Sequence, residues 1–242
     1  MLHRILDVHR EACFDCTGVS RRFRRVCLEA VGALAGQRWA LRLAAERGHV
    51  AALRALLEGG ADLEADLTDE SAELPCPAGT TALHCAVQQG RTEAVRLLLG
   101  AGSAVDAKTA ALSDTALHCA AEHGHVEVVR LLLDAGAVVD AADAGGFTAL
   151  HWAANRRHPE VVQLLLDAGA AVDALTDEGR TTPLHAAAFG GDAEVVQLLL
   201  GAGAAIDPDI DACTALNYAT SSGHTEVVQL LLGAGADPAG VA

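Results

Sequence analysis

Residues 115–137 read TALHCAAEHGHVEVVRLLLDAGA, and close copies of this stretch recur along most of the chain. TALHCAVQQGRTEAVRLLLGAGS starts at Thr81, TALHWAANRRHPEVVQLLLDAGA at Thr148, TPLHAAAFGGDAEVVQLLLGAGA at Thr182 and TALNYATSSGHTEVVQLLLGAGA at Thr214. A weaker copy, WALRLAAERGHVAALRALLEGGA, begins at Trp39. Successive starts lie 42, 34, 33, 34 and 32 residues apart. A fixed period of about 33 predicts a stacked solenoid rather than one globular core.

Each copy reads as a pair of helices. Thr115 opens the first, and Ala120 and Ala121 are small enough to let neighbouring helices approach closely. Gly124 stands where a left-handed residue stops a helix at little steric cost. The chain restarts at His125 or Val126, and Val128, Val129, Leu131, Leu132 and Leu133 give the second helix a wide apolar surface. That surface is too wide to bury within one pair. Gly136 ends the helix, and residues 138–143 make an extended connection to the next copy. Two short helices alone are unstable, so neighbouring pairs must cover these faces.

These residues resemble the ankyrin repeat family. The resemblance rests on Thr182-Pro183-Leu184-His185, Gly124-His125, the Glu-Val-Val of 127–129, the three Leu of 131–133 and Gly136-Ala137, and it covers about residues 38–238 in six units. It implies an all-α fold: helix-turn-helix units with hairpin-like loops projecting at right angles, stacked into a curved array. The sequence departs from the pattern at several places. Trp39 and Arg42 replace Thr and His in the first unit, Arg157 replaces Gly in the copy that starts at Thr148, and Asn217 replaces His in the sixth.

Composition agrees with such an array. The chain has 242 residues, 51% hydrophobic but only 3% aromatic, which suits stacked Ala and Leu helices better than a single globule. The net charge of −15 is uneven: residues 1–38 carry +3 and the remainder −18. So acidic an array disfavours nucleic acid backbones and anionic membranes. Seven cysteines, scattered and odd in number, do not form a disulfide framework. Cys85 and Cys119 hold equivalent places about 8–10 Å apart, too far to bridge. Reduced thiols and the lack of a secretory core near residue 1 point to an intracellular protein, cytoplasmic before nuclear. No stretch approaches about 18 uncharged apolar residues, so no membrane span is expected.

The domain reading is a helical cap over 1–37, repeats over 38–238 with starts near 39, 81, 115, 148, 182 and 214, and a tail at 239–242. In the first segment, Leu2, Ile5 and Leu6 line one short helix and Phe23, Val26, Cys27, Ala30, Val31 and Leu34 line another. Covering the open face of the first unit is the simpler role. A basic partner site or import signal at Arg21, Arg22, Arg24 and Arg25 is the sharper one. Zinc at Cys13-x-x-Cys16 with Cys27 and His9 is weak, because no second CxxC accompanies it. The insertion DLTDESAELPCPA at 66–78 is a surface loop, either tolerated or partner-binding.

Histidines 84, 118, 151 and 185 recur once per unit, so each reads as a helix-start hydrogen-bonding group tying its Thr to a neighbouring loop, not as a metal ligand or catalyst. No phosphate-binding loop, catalytic constellation, metal site or cofactor site is legible, and a non-enzymatic protein-binding scaffold is expected. Function then lies in the residues the scaffold leaves variable, a band along the concave side. Phe147, Asn155, Arg156 and Phe189 form the expected anchor, with Asp114, Glu122, His123, Gln88 and Gln89 around it. Trp152 and Tyr218 are read as filling space between units. Asp106, Asp140, Asp173 and Asp207 stand where ankyrin-like repeats carry an Asn or Asp open to oxygenase hydroxylation. The uncovered Val/Leu surface of the sixth unit predicts fraying, self-association or a covering partner. A different class of role is adaptor or substrate-recruiting subunit of a protein-modifying complex such as a ubiquitin ligase. A short helical docking motif would mark it, and none is legible after Ala236.

Overall fold

A computed structural model describes residues 38–64, 79–177, 181–206 and 214–238. The expected cap at 1–37, the insertion at 66–78, Asp207 and the tail at 239–242 lie outside the described residues. The chain divides into two compact units, Met1–Ala111 and Leu112–Ala242. The first contains α1 (Arg38–Arg47), α2 (Val50–Glu58), α3 (Ala82–Gln88) and α4 (Thr92–Gly100). The second contains α5 (Ala116–Glu122), α6 (Val126–Asp134), α7 (Ala149–Asn155), α8 (Pro159–Asp167), α9 (Pro183–Gly190), α10 (Ala193–Gly201), α11 (Ala215–Ser221) and α12 (Thr225–Ala234). No strand occurs among the described residues. The six expected pairs are therefore present as six pairs of helices.

Helices of seven to ten residues do not persist alone, because nucleation costs more than so few internal bonds return. Packing between pairs supplies the difference. In the second unit, odd-numbered helices pack on odd ones and even on even, α5 on α7 on α9 on α11 and α6 on α8 on α10 on α12. The first layer meets through Ala120, Ala121, Ala153, Ala154, Ala187 and Ala188, all buried. The second meets through Val128, Val161 and Val195 and their following valines, with Leu132, Leu165 and Leu199 fully enclosed. Each buried Leu contributes about 1.5–3 kcal/mol. In the first unit α1 packs on α3 and α2 on α4, around Leu41, Leu53, Leu83, Val95 and Leu98.

The connections fold back as narrow hairpin-like loops. Asp143 N–H donates to the Phe147 carbonyl at 2.9 Å, and Thr176 N–H to the Thr181 carbonyl at 3.1 Å. Neighbouring loops pair in turn, Ala144 N–H with the Leu112 carbonyl at 2.8 Å and Asp177 N–H with the Gly145 carbonyl at 3.0 Å. At the far end of the second unit the cover thins. Val129, Val162 and Val196 are buried, whereas Val228 at the same place in α12 is half-buried and Leu232 is 43% exposed.

The helix-stop glycine behaves as its position demands. Gly124 has φ +70°, and a Cβ there would lie 2.5 Å from His158 Nδ1. The departure at Arg157 changes the residue but not the backbone: Arg157 keeps φ +63°. A side chain in this region costs about 1 kcal/mol. Arg157→Gly is therefore expected to stabilise the second unit by about 0.5–1 kcal/mol in denaturant titration. Gly124→Ala, strained and obstructed together, is expected to destabilise it by about 2 kcal/mol in the same measurement.

Candidate functional site

Three of the four first helices of the second unit, α5, α7 and α9, begin with a threonine whose backbone and hydroxyl meet a histidine three residues on, and α11 has Asn217 in that place. Thr115 N–H donates to His118 Nδ1 at 3.1 Å, and the Thr115 hydroxyl lies 2.8 Å from the same nitrogen. A nitrogen that accepts from an amide carries no proton, so the proton sits on Nε2. His118 Nε2–H then donates to the Phe147 carbonyl at 3.0 Å. His151 repeats this with Thr148 and the Thr181 carbonyl at 3.1 Å. The expected link between threonine, helix and neighbouring loop is thus made by these two rings. In the first unit His84 meets Thr81 in the same way, while in α1 Arg42 takes the histidine's place and donates through Nη2 to the Thr80 hydroxyl at 2.6 Å.

A second set of bonds fixes the opposite ends of the same helices. His158 Nε2 bonds the Glu122 carbonyl and His224 Nε2 the Phe189 carbonyl, each at 3.1 Å. Arg91 Nε does the same for the Glu46 carbonyl in the first unit, at 3.1 Å. In these three places the residue before a second helix reaches back and pins the end of the first helix of the preceding pair, whereas Asp192, before α10, accepts from the N–H groups of Glu194 and Val195 and caps its own helix. Two of the expected site residues, Glu122 and Phe189, have their backbones held in this way.

Around them the side chains make a set of separate pairwise contacts on the first-helix layer. Asp143 Oδ1 accepts from Gly145 N–H at 2.8 Å and Phe147 N–H at 2.9 Å, while its Oδ2 accepts from the Trp152 indole N–H at 3.2 Å. The Phe147 ring lies 5.6 Å from the Trp152 ring and edge-on to His151 at 5.7 Å. Phe189, 56% exposed, meets Tyr218 edge-on at 6.3 Å. Arg156 Nη2 reaches Glu122 Oε1 at 2.6 Å across the α5–α7 boundary. His123 stacks on His125 at 5.7 Å and bonds the Cys119 carbonyl through Nδ1.

The expected residues do not all sit as the sequence suggests. Phe147 is half-buried under Trp152 rather than on a solvated loop tip, and Phe189 lies inside α9. Asn155 is the half-buried last residue of α7. Gln88 and Gln89 are exposed but belong to the first unit, while Asp114, Glu122, His123, Phe147, Asn155, Arg156 and Phe189 belong to the second. Sequence reasoning passed over Asp143 and gave Trp152 and Tyr218 to packing. Both rings are half-exposed, at the place of Cys119 and Ala186, the one interior position of these first helices that packing leaves partly open. The wide range of size there, from Ala to Trp, was the available signal.

Among the modification candidates, Asp140 Oδ1 accepts from Ala171 N–H at 2.9 Å and Asp173 Oδ1 from Ala205 N–H at 3.0 Å. Glu64 holds Ala104 N–H at 2.8 Å in the equivalent way. These acids tie one loop to the next. Asp106 is half-buried. Among the described residues no group of three His, Cys, Asp or Glu comes together to hold a metal ion, and Cys85 and Cys119 are free thiols. No described helix is long and apolar enough to cross a membrane.

The fold is that of a repeat protein built of stacked helix pairs. The family model described as Ankyrin repeats (3 copies) matches residues 29–109, 101–176 and 169–240, and the chain belongs to the ankyrin repeat family. Ankyrin repeats are generic protein–protein interaction modules. A search of curated proteins gives no match.

The electrostatics of the patch follow from burial. Desolvation lowers the pKa of His118, against the Phe147 carbonyl and the negative charges of Asp114 and Asp143. Burial lowers that of His151 from 6.5 to about 4, opposed by the Thr181 and Ala174 carbonyls and Asp143 and aided by His118. Asp114 is raised, first by burial and then by Asp143 and Glu122, with His118 acting in the other direction. Because His151 stays neutral when folded but protonates below pH 6.5 when unfolded, stability is full above 6.5 and falls as pH drops toward about 4. Between about pH 7 and 5 the loss from His151 alone is expected to be about 2 kcal/mol by urea titration. His151→Asn, which copies the Asn217 arrangement, is expected to flatten that slope.

Proposed function

We propose that the chain is a non-enzymatic scaffold whose second unit binds partner proteins on its first-helix and loop face. The observation that carries this reading is the placement of the aromatic rings. Phe147, Trp152, Phe189 and Tyr218 are half-exposed or exposed on that face, while the largest fully buried side chains are leucines and His151. Among the described residues the interior is packed without Phe, Trp or Tyr, and the four such rings whose exposure is described lie on one face, where they are available for contact. Phe147, Asn155, Arg156 and Phe189 form the centre, with Asp114, Glu122 and His123 beside them, and Gln88 and Gln89 extend the role to the first unit. The partner is neither nucleic acid nor membrane, given the acidic charge, and the setting is intracellular and cytoplasmic. No cofactor takes part.

The test is alanine substitution at Phe147, Asn155, Arg156 and Phe189 together, with affinity purification and mass spectrometry against the intact chain. Loss of bound partners by about 10-fold or more is expected. Unchanged capture by a variant that keeps its helical circular dichroism refutes the reading. The exposed Leu232 and half-buried Val228 support a separate contact, self-association through the last helix pair. Light scattering on the intact chain is expected to show a concentration-dependent dimer that Leu232→Glu abolishes; a strict monomer at high concentration excludes it.

A further inference from the structure

We infer that the partner segment is basic: an extended peptide that lays a lysine or arginine side chain against Trp152, among the carboxylates of Asp114, Glu122 and Asp143. This rests on the first-helix face being a protein-binding surface, and it adds the chemistry of what binds.

Three features of the patch favour a cation. The Trp152 indole is fixed through its N–H to Asp143, which leaves the ring half-exposed and its faces rich in electron density. A cation over such a ring gains about 0.5–2 kcal/mol. Next, three acids flank the ring's helix and its neighbour: Asp114 before α5, Glu122 at the other end of α5 and Asp143 in the following loop. The pKa of Asp114 is raised in part by Asp143 and Glu122, so their charges lie within each other's field, and an added cation relieves that repulsion. The surrounding repeats deepen the effect, with −18 over residues 39–242. Finally, Phe147 beside Trp152 and Phe189 beside Tyr218 supply apolar surface for the aliphatic stem of such a side chain and its neighbours.

Arg156 is the informative residue. Its guanidinium already sits on Glu122 at 2.6 Å, with half of its side chain exposed. An exposed pair of this kind is worth at most about 1 kcal/mol, so an incoming basic side chain can replace it. Arg156 is then a built-in competitor: it occupies the acid when no partner is present. The inference separates here from the simpler view of Arg156 as a contact residue. Removing a contact weakens binding, while removing a competitor strengthens it.

The experiment uses the full chain and two fluorescent peptides of equal length, one alternating arginine with leucine and the other glutamine with leucine, followed by anisotropy at low and physiological salt. The arginine peptide is expected to bind at least about 10-fold tighter. Glu122→Gln and Asp114→Asn are each expected to weaken it by about 3- to 10-fold, and Arg156→Ala to tighten it by about 3-fold. Asp134→Asn with Asp167→Asn, which removes two charges rather than one, from the exposed ends of α6 and α8, is expected to change affinity less than about 2-fold and so reports unspecific attraction. If that control weakens binding as much as Glu122→Gln, or if Arg156→Ala weakens it, the basic-partner inference is overturned. If both peptides bind equally and Phe189→Ala weakens both, the charge preference fails while the binding face stands. If no peptide responds to Phe189→Ala, the face itself fails.

Discussion

A neutral imidazole ring joining three pieces of chain is the interaction on which the second unit depends. His118 takes a hydrogen bond from the amide that starts its own helix and gives one to a carbonyl 29 residues further on. Both bonds require one tautomer, and protonation of Nδ1 removes the first. The ring can serve only while uncharged, which burial between layers enforces. The same burial that makes the bonds strong makes their loss in acid costly, so rigidity and acid sensitivity have one origin. The carbonyl that His118 holds belongs to Phe147, so the scaffold bond also sets where a ring of the candidate site lies.

The stack and the site therefore share parts. Leucine and valine faces hold the pairs together without direction, since hydrophobic burial is indifferent to small slides and rotations. Direction comes from the hydrogen bonds between pairs: His118 and His151 at the start of a helix, His158 and His224 at the end of the preceding one, Asp140 and Asp173 between loops. Each such bond contributes about 1 kcal/mol, small beside the burial of one leucine. Together they select one register among the many that apolar packing permits. Glu122 and Arg156, 34 residues apart, meet only in that register.

Much of this was legible in the sequence. The period, the Thr-His pairs and the glycine before each second helix each follow from a local rule: covering an apolar face, capping a short helix, stopping it in a left-handed turn. Arg157 shows the rule acting through its exception, since the backbone keeps its φ where glycine is absent. The site was legible only in part, because it depends on direction and on neighbours. Phe147 looks solvated in a loop sequence, but its ring turns under Trp152 once the hairpin closes on Asp143. Trp152 and Tyr218 look like fillers until helix register shows that their position faces out of the layer. Arg156 looks like an unpaired cation until stacking brings Glu122 to it. Repetition announces what is the same in every unit, and these residues are what differs.

That division explains why so few aromatic residues suffice. In a globular domain large rings fill irregular spaces between unlike elements, so removing them from the interior leaves voids. Within the second unit each interface repeats the last, with buried alanines in one layer and buried valines and leucines in the other. Rings are then free to sit where packing does not need them, and substitution there disturbs the stack little. Under Phe189 the backbone is held at both ends of α9, by the N-cap Thr182 on one side and His224 of the next pair on the other. A partner meeting this face finds side chains whose ordering cost was already met in folding. On the proposed reading few contacts then suffice for affinity, and four rings and three carboxylates set which partner they favour.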